Sequence, residues 1–164
     1  MIGEMSRTCP DCRSALETKT LEGITIDACP SCAGIFFDEG EVCQLKAKGL
    51  QAFDAVEDAV VPSIVVEHSS DRSRMCPSCH TGMDKFRYLY NSRLILDECE
   101  RCGGIWVQDG ELGKMKEVLE ECLGHGKGKP VTVVTGAHPA TAVPEHYRGR
   151  MQRVHEFLTG VGRK

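Results

Sequence analysis

The apolar positions of this chain switch between two spacings, and the switches mark out the elements. Val42, Leu45, Leu50, Phe53 and Val56 recur at helical spacing, and Pro62 lies beyond the end of that run. Asp38, three residues before Glu41, has the spacing of a capping box that would open this helix. Leu112, Met115, Val118, Leu119 and Cys122 repeat the pattern further on, with Asp109 as the expected cap and Gly124 as the stop. Ahead of each helix the pattern is that of strands. Thr18 to Ile26 reads as two short strands around Glu22-Gly23, and Arg87 to Leu96 as two more around Asn91-Ser92. Each helix is followed by a short extended run, Pro62 to Val66 and Pro130 to Val134.

The two series are copies of one unit. Cys29 to Lys46 lies over Cys99 to Lys116 without a gap, sharing both cysteines, Gly34/Gly104, Ile35/Ile105, Gly40/Gly110, Glu41/Glu111 and Lys46/Lys116. Asp27 and Asp97 each stand two residues before the third cysteine of their copy. The organisation expected is residues 1–60 as a first ribbon plus helix and 61–75 as short strand and exposed linker. Residues 76–124 would be the second ribbon plus helix, and 125–164 a linker, short strand and basic amphipathic helix. In that last helix, Glu145 to Leu158, the residues Tyr147, Met151, Val154 and Leu158 would share one side.

Cysteine spacing supplies the chemistry. Cys9 and Cys12 precede Cys29 and Cys32, and Cys76 and Cys79 precede Cys99 and Cys102. Each set is C-x2-C, a loop of sixteen or nineteen residues, and C-x2-C, the spacing of a four-thiolate zinc site. Cysteines three apart on a tight turn aim both sulfurs at one tetrahedral cation more easily than they bridge each other. Two structural zinc ions per chain are therefore expected. Aromatic residues make up only 5% of the 164, and a ribbon of about forty residues cannot build a sufficient core without a metal or disulfides. Loss of a ligand such as Cys29 is accordingly expected to unfold the first ribbon alone.

The N-terminus, Met1 to Arg7, lacks an apolar signal region, and no apolar stretch approaches membrane-span length. The expected compartment is the reducing cytoplasm, with no membrane partner. The net charge of −4 hides an asymmetry, because residues 125–164 carry +5 and residues 1–124 carry −9. Thiolate-bound zinc makes the body more acidic still, which is unlike a general nucleic-acid binder.

Cys-Pro-x-Cys, a hairpin, Cys-x-x-Cys-x-Gly-Ile-aromatic and then Gly-Glu resembles the zinc ribbon named after transcription factor IIB, over residues 9–46 and 76–116. The second copy departs from that pattern at Glu100, where a proline is usual, and at Gln108, where an aspartate is usual. The resemblance implies a zinc-ribbon fold with metal at one end of a small sheet. The fold class expected is small α+β, stabilised by metal. The function expected is that of a non-enzymatic adaptor whose partner is a protein. Nucleic-acid binding is a second reading, through the Lys85–Arg93 hairpin, where Phe86, Tyr88 and Tyr90 alternate with Lys85 and Arg87, and through the basic tail. A third is a switch whose thiolates release zinc on oxidation.

Smaller expectations follow. Asp27/Asp97 and Glu41/Glu111 read as a strand-end hydrogen bond and a helix cap rather than as acid–base groups. Cys43 and Cys122, in apolar helical patterns, read as buried thiols. Gly34, Gly103 and Gly104 read as knuckle residues that turn the chain, and Phe36 and Trp106 as equivalent buried aromatics.

Overall fold

A computed structural model describes residues 7–64, 72–89 and 92–124, all within one compact unit, Met1–Gly128. The first hairpin is β1 (Glu17–Leu21) and β2 (Ile24–Ala28), paired from Glu17 with Ala28 to Leu21 with Ile24. Glu22 (φ 51°) and Gly23 (φ 76°) both take left-handed backbone at its two-residue turn, a conformation that matches the twist of the strands. β3 (Ile35–Phe37) adds to β2 after the second pair of cysteines. The second copy supplies β4 (Asp84–Arg87), β5 (Ile95–Glu98) and β6 (Ile105–Val107). Its hairpin strands thus overlap the Arg87–Leu96 stretch read from sequence only at Arg87, Ile95 and Leu96, with Arg87 paired to Ile95 and a longer connection between.

The two ribbons are not separate beads. β3 pairs antiparallel with β6, Phe36 opposite Trp106, and the strand order is β1-β2-β3-β6-β5-β4. That order reads the same from either end, so the copies meet about an approximate two-fold axis between Phe36 and Trp106. Alternation along the central strands then divides the apolar residues between two faces. Ile35, Phe37 and Val107 join Ile24, Ile26 and Leu96 under the helices. Phe36 and Trp106 join Leu16, Met83 and the clustered cysteines on the other face.

The helices depart in detail from the periodic pattern. The first run is broken into α1 (Glu41–Lys48) and α2 (Leu50–Ala59) at Gly49, whose φ of 94° a residue with a side chain takes only under strain. Asp38 does not cap α1. Gly40 occupies the N-cap position without a side-chain bond, and Glu41 turns back to accept from the Asp38 amide at 2.8 Å. Glu111, opening α3 (Glu111–Gly124), accepts from the Gln108 amide at 2.9 Å in the same way, while Asp109 is exposed.

Cys43 and Cys122 are exposed, not buried. The buried stripe of α1 is Val42 and Leu45, and one residue of helical rotation carries Cys43 away from it; Cys122 lies one turn past Leu119, where the core ends. No strand forms at 62–64; instead the Ser63 and Ile64 amides donate to the Ser31 carbonyl, which ties the chain after α2 to the second knuckle. The expected exposed linker also fails at its end, since Arg74 is 1% exposed. The expected segment 130–134 and helix 145–158 lie outside the described residues.

Candidate metal centres

Each ribbon brings four sulfurs together because two tight turns face each other across the hairpin. In each turn the residue just past the second cysteine returns an amide to the carbonyl of the first, as Arg13 does to Cys9 and His80 to Cys76. Ala33 to Cys29 and Gly103 to Cys99 repeat it. All four positions adopt positive φ, between 56° and 70°, which closes the turn. The amides of Cys12, Cys32 and Cys79 point at the sulfurs of Cys9, Cys29 and Cys76 at 3.3–3.4 Å. Such donors favour thiolate over thiol.

The Sγ atoms of Cys9, Cys12, Cys29 and Cys32 all lie within 4.8 Å of one another, as do those of Cys76, Cys79, Cys99 and Cys102. Close pairs are Cys12–Cys29 at 3.4 Å, Cys9–Cys32 at 3.5 Å and Cys76–Cys102 at 3.6 Å. Zinc–sulfur bonds of about 2.3 Å in a tetrahedron place sulfurs about 3.8 Å apart, so both sets fit a zinc ion. Their electrostatics also call for a cation. Cys9 is pulled down to about 5, first by its hydrogen bond with Cys32, and the Cys32 thiol is driven up by the same bond. Burial pushes Cys29 and Cys76 up. Four sulfurs this close shed all their protons only around a positive charge, which a dication supplies. His80 is exposed, and Cys79 rather than His80 completes its cluster.

The glycines after the knuckles have a role that sequence reasoning missed. A Cβ on Gly34 would lie 2.2 Å from Trp106 Cζ2, and one on Gly104 would lie 2.3 Å from Phe36 Cζ. Each ring therefore lies on the backbone of the opposite ribbon. Only glycine permits that approach.

Two arginines were also missed. Arg7 and Arg74 stand two residues before Cys9 and Cys76, a correspondence the repeat alone would have exposed. Arg74 is buried between Asp11 of the first knuckle (Nε to Oδ1, 2.8 Å) and Asp97 (Nη1 to Oδ2, 2.9 Å). Asp11 also accepts from Trp106 Nε1 at 2.8 Å. On the other side Arg7 pairs with Asp27 and Asp38 and reaches Ser78 Oγ at 3.4 Å. Burial lowers the Arg7 pKa, but the bonds and charges of Asp38 and Asp27 outweigh it and leave it raised. Asp27 and Asp97 thus serve as ion-pair partners.

Ser78 is the counterpart of Asp11 between its cysteines, and it offers Arg7 a neutral acceptor. Ser78→Asp is expected to add an ion pair to Arg7 and to stabilise the zinc-loaded protein by about 0.5 kcal/mol, discounted because Arg7 is 29% exposed. A lowered melting temperature would contradict the equivalence of the two knuckles.

Among the described residues, no helix is long and apolar enough to cross a membrane. Comparison with curated proteins and with solved structures returned no match. A family model described as "Transcription factor zinc-finger" matches twice, over residues 8–48 and 75–118, the two segments that carry the sulfur clusters. On those matches, which take in more than half of its length, the chain belongs to the transcription factor zinc-finger family and carries two of its zinc ribbons.

Proposed function

We propose that the protein is a non-enzymatic, zinc-dependent adaptor of the cytoplasm that binds a protein partner. The observation that carries this reading is the closure of both sulfur sets. Four thiolates complete the tetrahedron of a zinc ion, whereas a catalytic zinc keeps a position for water or substrate. The metal then holds the shape of a surface and does no chemistry of its own. Zinc-bound thiolates require a reducing compartment, which favours the cytoplasm.

The second hairpin weighs against nucleic acid. Tyr88 is 3% exposed and belongs to the core under the helices, with the Lys46 ammonium 4.6 Å from its ring centroid, and Phe86 packs against the same core. Neither ring is a free platform for a base. Lys85 is paired with Asp97 at 3.0 Å, and Arg87 donates to the Ser92 carbonyl. Tyr90 and the basic tail lie outside the described residues.

The test is a binding titration of zinc-loaded protein against single- and double-stranded DNA and RNA at two ionic strengths, beside affinity capture with and without nuclease. The expected result is no salt-sensitive nucleic-acid binding and a captured protein that survives nuclease. Tight binding that falls steeply with salt, and is lost on truncation after Pro144, would replace this reading with nucleic-acid recognition by the tail.

A further inference from the structure

We propose that the two zinc sites fill as a coupled pair, an ion held in either ribbon raising the affinity of the other, so that little singly loaded protein is present at half-saturation. Beside the β3–β6 pairing, several of the contacts that cross between the ribbons end on or next to the knuckles themselves. Asp11 lies between the ligands Cys9 and Cys12, and its two carboxylate oxygens are taken by Arg74 and Trp106 of the second ribbon, each at 2.8 Å. The other arm of Arg74 holds Asp97, two residues before the ligand Cys99. Arg7, two residues before Cys9, reaches Ser78 between Cys76 and Cys79. Gly34, two residues after Cys32, is covered by Trp106; Gly104, two residues after Cys102, is covered by Phe36.

Ribbons of this size fold when their metal binds, so zinc in the second ribbon decides whether Arg74 and Trp106 stand where Asp11 needs them. With those partners gone, the first knuckle must order a carboxylate beside its thiolates with nothing to pair it. Zinc there then binds more weakly. Linkage makes the effect reciprocal: whatever factor the second ribbon's zinc exerts on the first, the first exerts on the second. The contacts are unequal in strength, but the coupling is one number.

The test is a zinc titration of the metal-free full-length chain under reducing conditions, against a competing chromophoric chelator and with native mass spectrometry of the species. Independent equal sites would leave about half the protein singly loaded at half-saturation. Coupling is expected to reduce that fraction well below one quarter and to give a Hill coefficient clearly above 1. In Cys76→Ser/Cys79→Ser, zinc affinity at Cys9, Cys12, Cys29 and Cys32 is expected to fall at least tenfold. Asp11→Asn keeps all eight sulfurs, and it should still bind two zinc ions but with the Hill coefficient lowered toward 1. A singly loaded form at half or more of the protein, or an unchanged first-site affinity in the double variant, would overturn the proposal.

Discussion

Trp106→Ala is expected to destabilise the zinc-loaded protein by about 3–5 kcal/mol, the range for removing a large buried aromatic. The indole is 0% exposed, and its loss acts at three places at once. It empties the centre of the metal-side core, bares the Gly34 backbone and leaves Asp11 without the Nε1 donor. Trp106→Phe separates these effects. It keeps most of the apolar surface and removes the donor, so it should cost about 1–3 kcal/mol, the range for leaving a buried acceptor unpaired. Equilibrium unfolding in urea with zinc in excess measures both. A loss under 1 kcal/mol for Trp106→Ala would mean that the ribbons do not meet at β3 and β6.

Arg74→Met should be nearly as severe, at about 3–5 kcal/mol, because removing one member of a buried charge cluster strands the others. Among the described residues, the Asp11 carboxylate would keep only the indole donor, and the Asp97 carboxylate only Lys85 at 3.0 Å. The control is its counterpart. Arg7→Met breaks pairs in which Arg7 is 29% and Asp38 46% exposed, so water can replace much of what is lost and the cost should be about 1 kcal/mol or less. Equal costs for the two variants would show that Arg74 is not sealed from solvent as the ion-pair geometry requires.

The two four-cysteine clusters were legible because cysteine spacing is a local property: two turns and a hairpin of tolerable length define it without reference to the rest of the chain. Glu22-Gly23 was legible for the same reason. The joining of β3 to β6 was not, since both strands are three residues long and a pairing across seventy positions leaves no local mark. One sign was available. Ile35-Phe36-Phe37 and Ile105-Trp106-Val107 are apolar on both sides, as strands covered on both faces must be, while the hairpin strands are not. Arg74 was overlooked because a lone arginine in a Ser/Arg-rich stretch reads as solvated. Only its partners, sixty-three and twenty-three residues away, make it a core residue. Cys122 was misplaced because helical spacing fixes a face but not how far a core extends along it, and Cys43 because it stands one residue of rotation off the Val42 and Leu45 stripe.

The palindromic strand order has a further consequence. Separated between the copies, each half would end in a bare three-residue strand, and the surface that best completes it is a second copy of itself. The chain is in effect a dimer written as one polypeptide. A true dimer of this kind must be self-complementary, so every change on one side appears on the other as well. Covalent joining lifts that restriction. Asp11 can have Ser78 as its counterpart, Asp38 can have Gln108 and Phe36 can have Trp106, and each pair divides between two residues a task that a symmetric interface would give to one. The two ribbons can thus keep one architecture while the contacts between them diverge.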